Sequence, residues 1–255
     1  MKQRRYQEVA NDIEKFAAEL GFLPGTKLPT ERKLADQFAV TRAVVREALI
    51  KLEIEGKVEV RQGSGIYLIQ PVELRPEGVD DVDIGPFELL QARQIVESEI
   101  ARFAATRASK RDIQGLREAI EMDRRTMDAG GLDFPGDELF HHRIAEATQN
   151  GALIDAVDRL WAKRKSSPMW HTLHKRVRDS DHRLHWIQDH EAIVAAMVRR
   201  NPHEAHAAMS RHLANVHNRL LGLSDRDDPH FDGYMFRSAE EGEPVSALVD
   251  PAETR

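Results

Sequence analysis

The chain of 255 residues contains no cysteine. That excludes disulfides and thiolate metal sites, and it agrees with a reducing cytoplasm. Any metal would have to be held by His, Asp, Glu or backbone oxygens. No run of about 18 apolar residues exists, so no membrane span is expected. The stretch MKQRRYQEVANDIEKF has basic residues but no apolar signal core, so no export is expected and the cytoplasm is the expected location. A basic charge throughout is also missing, since the net charge is −6. Residues 1–70 hold 12 Lys/Arg and 10 Asp/Glu, a net of +2, and the remainder is net −8. Only the N-terminal part is therefore expected to meet a polyanion. Histidine, too, is absent from the first 140 residues, and all 12 lie beyond them.

What is present is mostly helical periodicity. RRYQEVANDIEKFAAELG places Tyr6, Val9, Ile13, Phe16, Ala17 and Leu20 on one side, with Gly21 as a stop. TERKLADQFAV starts on Thr30 as N-cap, and TRAVVREALIKLEIEG follows almost at once on Thr41, ending at Gly56. KVEVRQGSGIYLI reads as two short strands around a Gly-rich turn. Residues 71–86, PVELRPEGVDDVDIGP, read as a linker. Residues 87–223 carry helical periodicity with short breaks and no β pattern, with caps expected at Ser109, Asp137 and Asn201. The tail, 224–255, is polar, apart from an aromatic HFDGYMF that could dock on the bundle. The expected fold is thus mainly α, a winged helix-turn-helix over residues 1–70 followed by an all-α bundle.

Three helices and a ribbon suit DNA. The third helix would lie in the major groove with its N-terminal residues near base edges. Arg42 and Arg46 share its expected outer face one turn apart, while Val45 and Leu49 point inward. Arginine forks onto guanine or phosphate. Arg32 would reach the backbone, and Arg61, Gln62 and Gly63 would form the wing tip near the minor groove.

In GDELFHHRIAEATQN, Asp137 and His141 sit four apart and project from nearly one face, beside an apolar stripe of Phe140, Ile144 and Ala147. They could be an exposed polar pair, a satisfied buried pair or two metal ligands. His190 lies on the line of Ile187, Val194 and Met197, and His212 on the line of Ala205, Met209, Val216 and Leu220. His182, His185, His203 and His217 fall off those stripes and are expected at the surface. Three histidines and one Asp aimed inward from one bundle would cost several kcal/mol without partners, and a shared cation would satisfy them together. Asp and His ligands around an open metal position could also activate water, so a metal-dependent enzyme is the alternative. Against it, Glu138 is the one extra acid nearby, and the helix points it away from Asp137 and His141.

LPTERKLADQFAVTRAVVREALIKLEIEGKVEVRQGSGIYL resembles the signature of the GntR superfamily of transcriptional regulators. That resemblance implies DNA contacts at Arg32, Arg42 and Arg46, with Gln62 and Gly63 at the wing. Family members often carry Thr or Ser where this chain has Ala43, which offers no side-chain hydrogen bond. LLQARQIVESEIARFAA, the Asp137/His141 pair, DHEAIVAAM and AAMSRHLANV resemble the FCD domain of the FadR branch. There the resemblance implies a divalent metal, Zn²⁺, Ni²⁺ or Mn²⁺, on Asp137, His141, His190 and His212. Arg93 would face the same cavity and fork onto an effector carboxylate; otherwise it would form a surface salt bridge with Glu97. FHHRIAEATQN, NPHEAHAAMSRHLANV and HFDGYMF are similar to hexuronate-catabolism regulators of the UxuR and ExuR type. The chain is thus expected to be a homodimeric repressor, not an enzyme and with no membrane partner. It would bind double-stranded operator DNA and be released by a uronate-type sugar acid.

Overall fold

The computed structural model describes residues 4–61, 64–70, 84–131, 134–174 and 180–222. Helices α1 (Arg5–Glu19), α2 (Glu31–Phe38) and α3 (Arg42–Ile54) precede strands β1 (Val58–Arg61) and β2 (Gly65–Leu68). The strands pair antiparallel, with Val58 opposite Leu68 and Arg61 opposite Gly65. Thr30 and Thr41 cap α2 and α3 by accepting the amides of Lys33 and Val44, as their sequence positions predict. The short turn between these helices passes through Ala39 in the left-handed region, at φ 51°. Val9, Ile13, Leu34, Val45, Leu49, Leu52, Val58, Ile66 and Leu68 form the core of this head.

Seven helices follow: α4 (Pro86–Arg107), α5 (Lys110–Asp128), α6 (Pro135–Ala147), α7 (Gly151–Ser166), α8 (Pro168–His174), α9 (Ser180–Val198) and α10 (Pro202–Gly222). No strand occurs among the described residues of this part. The periodicity misses α8, a two-turn helix behind Pro168, which buries Met169, Trp170 and Leu173. Small residues let α4 and α10 pack closely: Ala101, Ala104 and Ala105 are buried on one, Ala205 and Ala208 on the other. Gln94 ties them further, donating to the Ser210 carbonyl at 3.0 Å. No described helix is long and apolar enough to cross a membrane.

Ser109 and Asn201 cap α5 and α10 as expected, but Asp137 caps nothing. Pro135 occupies the first turn of α6, where its missing N–H costs no bond, and the helix starts two residues before Asp137. Gly136 then donates its amide to buried Asp123 at 2.6 Å. A Cβ at Gly136 would overlap the Ala119 carbonyl, so only glycine allows α6 this close to α5. The carboxylate of Asp137 is thereby free to turn into the bundle.

The head rests on the bundle. Tyr6, Ala43 and Ile50 are buried in the same apolar cluster as Phe87, Leu90 and Leu173, and Arg4 pairs with Glu88 at 2.5 Å.

Candidate metal centre and DNA-reading face

Asp137 and His141 from α6, His190 from α9 and His212 from α10 converge, each with one ligand atom within 4.8 Å of all the others. His190 Nε2 lies 3.2 Å from His212 Nε2, and Asp137 Oδ1 lies 3.6 Å from His141 Nε2 and 3.7 Å from His190 Nε2. Two ligands at about 2.1 Å from one ion stand roughly 3.0–3.4 Å apart, so these three separations are close to what one ion needs, and the set as a whole would draw in from its 4.8 Å spread. His141, His190 and His212 are each 2% exposed. Phe140 stacks on His190 with centroids 4.1 Å apart, which fixes that ring.

The outer partners fit the same purpose. His141 turns Nδ1 to the Glu97 carboxylate, and His212 Nδ1 lies 3.5 Å from Asp189, which also accepts from Asn215. A carboxylate behind a ligating imidazole sets its tautomer and raises its basicity. It leaves Nε2 of both rings facing the centre, and His141 Nε2 has no hydrogen-bond partner there.

The protonation balance also favours a cation. Burial pushes His190 well below its usual pKa, and His212 and His141 push it further. Burial likewise lowers His212. For His141 burial acts the same way, but Glu97 and Asp137 outweigh it and raise the ring. Burial would raise Asp137, yet Arg164, His141 and His190 hold it well below the carboxylate range. Glu97, also opposed by burial, is held at about 2 by Arg93 and His141. The ionised acids and the neutral rings of His190 and His212 suit a divalent ion, whereas His141 has to give up its proton to bind one.

Beside the centre lies a small cavity lined by Arg93, Asp137, Arg164, Trp170, Trp186 and His212 among others. Arg93 faces it, as the sequence predicts. Its bridge to Glu97, at 2.7 Å, is buried rather than on the surface. The sequence gives little notice of Arg164. It stands in AKRKSS, which reads as a solvated basic helix end. In the structure it donates to Asp137 Oδ2 at 2.8 Å and packs 4.3 Å from the Trp161 ring and 4.8 Å from Trp170. Asp137 thus offers one oxygen to the imidazole cluster and the other to Arg164. Glu138 turns to Lys165 at 2.7 Å.

The head is arranged differently from the sequence expectation. Arg32 is exposed and Arg42 half-buried, while Gln62 and Gly63 lie outside the described residues, as does HFDGYMF. Arg61 is exposed at the wing and pairs with Glu59 at 2.7 Å. Arg46, expected on the outer face of α3 beside Arg42, is 1% exposed. It forks onto Glu31, with Nε to Oε1 at 3.0 Å, and donates to the carbonyls of Leu220, at 2.7 Å, and Leu221. The outer face of the isolated head is here an inner face, because α10 ends against it. His217 is likewise buried, not at the surface: Phe87 packs edge-on at 5.1 Å, and burial lowers the ring's pKa to about 4. His185 and His203 are exposed as expected, and the side chain of His182 lies outside the described set.

Comparison with known proteins agrees with both halves. Residues 5–68 match the pattern of the bacterial regulatory proteins of the gntR family, and residues 88–215 match the FCD domain. The chain is 45% identical over 242 residues to the Uxu operon transcriptional regulator of Escherichia coli, covering 92% of this chain and 94% of that one. It is 42% identical over 236 residues to the Uxu operon regulator of Haemophilus influenzae, covering 92% and 89%. To the Exu regulon transcriptional regulator of Escherichia coli it is 41% identical over 239 residues, covering 92% of each. A winged head, an FCD bundle and relatives that are regulators along nearly their whole length place this chain in the GntR family of bacterial transcriptional regulators, not among enzymes.

Proposed function

We propose that the protein is a cytoplasmic, homodimeric repressor of hexuronate-catabolism genes, released from its operator by a uronate-type sugar acid. The observation that carries this reading is the position of the Asp137, His141, His190 and His212 cluster on the wall of a cavity that also holds buried Arg93 and half-buried Arg164. The relatives named for the Uxu and Exu systems supply the ligand class.

Asp137 Oδ1 and the Nε2 atoms of the three histidines would hold one Zn²⁺, Ni²⁺ or Mn²⁺. Such an ion offers open positions to a carboxylate and a neighbouring hydroxyl. The chain itself does the selecting. Arg93 has most of its fork engaged by Glu97, whereas Arg164 has one nitrogen on Asp137 and further donors along its edge. Arg164, with Arg93, would therefore fix the acid group. Trp170 and Trp186 offer apolar rings to the C–H faces of the sugar. At the DNA, Arg32, Arg42, Gln62 and Gly63 would contact a palindromic operator. The effector shifts the equilibrium only by binding the released state more tightly than the operator-bound one.

The test is a thermal-shift screen of glucuronate, galacturonate, fructuronate and tagaturonate with and without chelator, alongside metal analysis of the purified protein. Stabilisation by a uronate that vanishes on chelation is the expected result. A protein without metal and without a response to any of the four acids would sink the reading.

A further inference from the structure

Arg46 and Glu47 are adjacent on α3, and each caps one of the two most closely packed bundle helices. Arg46 reaches the last turn of α10 through the carbonyls of Leu220 and Leu221. Glu47 reaches the first turn of α4, where Oε1 accepts the amides of Phe87 at 2.8 Å and Glu88 at 3.2 Å. These are the groups a helix leaves without internal partners at its ends. A cation at a C-terminus matches the helix dipole it meets, and a carboxyl oxygen at an N-terminus supplies an acceptor to amides that have none inside the helix. Gly85, the N-cap of α4, has φ −58° and ψ 142°, a conformation open to any residue. The approach is close, because a Cβ at Gly85 would overlap the Glu47 carboxylate and force it to shift.

Ala43, Arg46, Glu47 and Ile50 fall at i, i+3, i+4 and i+7, one face of α3, and all are buried. The opposite face, with Val45, Ala48, Leu49 and Leu52, packs in the head's own core. A recognition helix must present its N-terminal half to the major groove. With both faces covered, Arg46 cannot reach a groove, and only flanking positions such as half-buried Arg42 keep any exposure. We infer that Arg46 and Glu47 form a latch that holds the DNA-reading head closed against the sensor bundle, and that operator binding requires the latch to open. Opening would free Arg46 for DNA. The link to an effector rests on the function proposed above: α4 carries Arg93 and Glu97, α10 carries His212, and a uronate that favours their present arrangement favours the closed head.

The test uses the full chain and a duplex that the wild-type protein selects from a random-sequence pool, with affinity read by fluorescence anisotropy. Glu47→Ala removes the acceptor, and Gly85→Ala displaces it. Neither residue lines the pocket. Both variants are expected to bind the duplex about fivefold or more tightly than wild type, and to bind uronate with unchanged affinity by calorimetry. Glu47→Gln keeps an acceptor oxygen and should stay within about threefold of wild type. Duplex binding that is unchanged or weaker in folded Glu47→Ala and Gly85→Ala overturns the latch. The absence of cysteine allows a second readout by spin labels on Leu23→Cys and Arg111→Cys, both exposed positions on the two bodies. Addition of duplex should change the label-to-label distances, and identical distance distributions with and without duplex would also overturn the latch. If no uronate affects wild-type operator binding, the effector assignment fails, while tighter binding by Glu47→Ala still supports the latch.

Discussion

The pocket and the seam between head and bundle both bury charge, on opposite principles. In the pocket, side chains from α4, α6, α7, α9 and α10 lean on one another, and imidazole faces imidazole. His190 has two such neighbours, and each makes its protonation harder. In the seam, Arg46 and Glu47 are met chiefly by backbone carbonyls and amides, with Glu31 completing the Arg46 fork. The seam is satisfied as it stands. In the proposed function, the pocket becomes satisfied when a divalent ion enters it. A cluster that crowds like groups around a centre is built to receive, and one that caps helix ends is built to hold.

Removing one member from each cluster should therefore give unlike results. Arg46→Ala removes the cation that buried Glu31 and two helix-end carbonyls share, and should cost about 3–5 kcal/mol in urea denaturation of the full chain. A loss below about 1 kcal/mol would mean the seam is not satisfied by Arg46 in solution. His190→Ala should lower metal affinity by about 100-fold or more, since even outer partners of a ligand contribute 10–100-fold. The metal-free protein should be little destabilised, because a repelling neighbour has gone. Full metal occupancy in this variant, measured by competition with a chromophoric chelator, would remove His190 from the centre.

The smallest effect concerns pH. Burial raises Glu47 to about 7, although the Phe87 and Glu88 amides oppose it; Glu88 adds to the rise and Arg4 subtracts from it. A raised carboxyl pKa means the closed form retains a proton that the open form loses. Its contribution to closure is complete below the usual value of 4.5 and fades as pH rises through about 7. From about pH 6 to about pH 8, operator affinity of wild type relative to Glu47→Gln should rise by about threefold. A constant ratio would show that Glu47 keeps one protonation state in the latch.

Much of this was legible from residue spacing. Polar residues on apolar stripes mark the inner faces of their own helices, so His141, His190 and His212 could be placed without coordinates. Thr30, Thr41, Ser109 and Asn201 announce caps through local chemistry. What spacing does not carry is which second surface a helix meets. Arg46 lies outward with respect to Val45 and Leu49, and only the arrival of α10 makes that face internal. His217 is buried for the same reason, as α10 gains a second covered side near its end, against Phe87. Arg164 sits in a basic run that looks solvated until α8 brings Trp170 over it. Asp137 has the residue type of a cap, but Pro135 already starts the helix two residues before it.

The length of α4 gives the seam a mechanical meaning. Phe87 and Glu97 are ten residues apart on this helix, which is about 15 Å of stiff rod. A tilt of roughly 4° pivoting at Glu97 would move the first turn by about 1 Å, enough to carry a hydrogen bond of normal length beyond its limit. Glu47 would feel that swing in full, since Gly85 leaves no slack in the approach. Small adjustments of a sugar acid against Arg93 and Glu97 would thus be read at the head as a lever reads a small turn at its fulcrum.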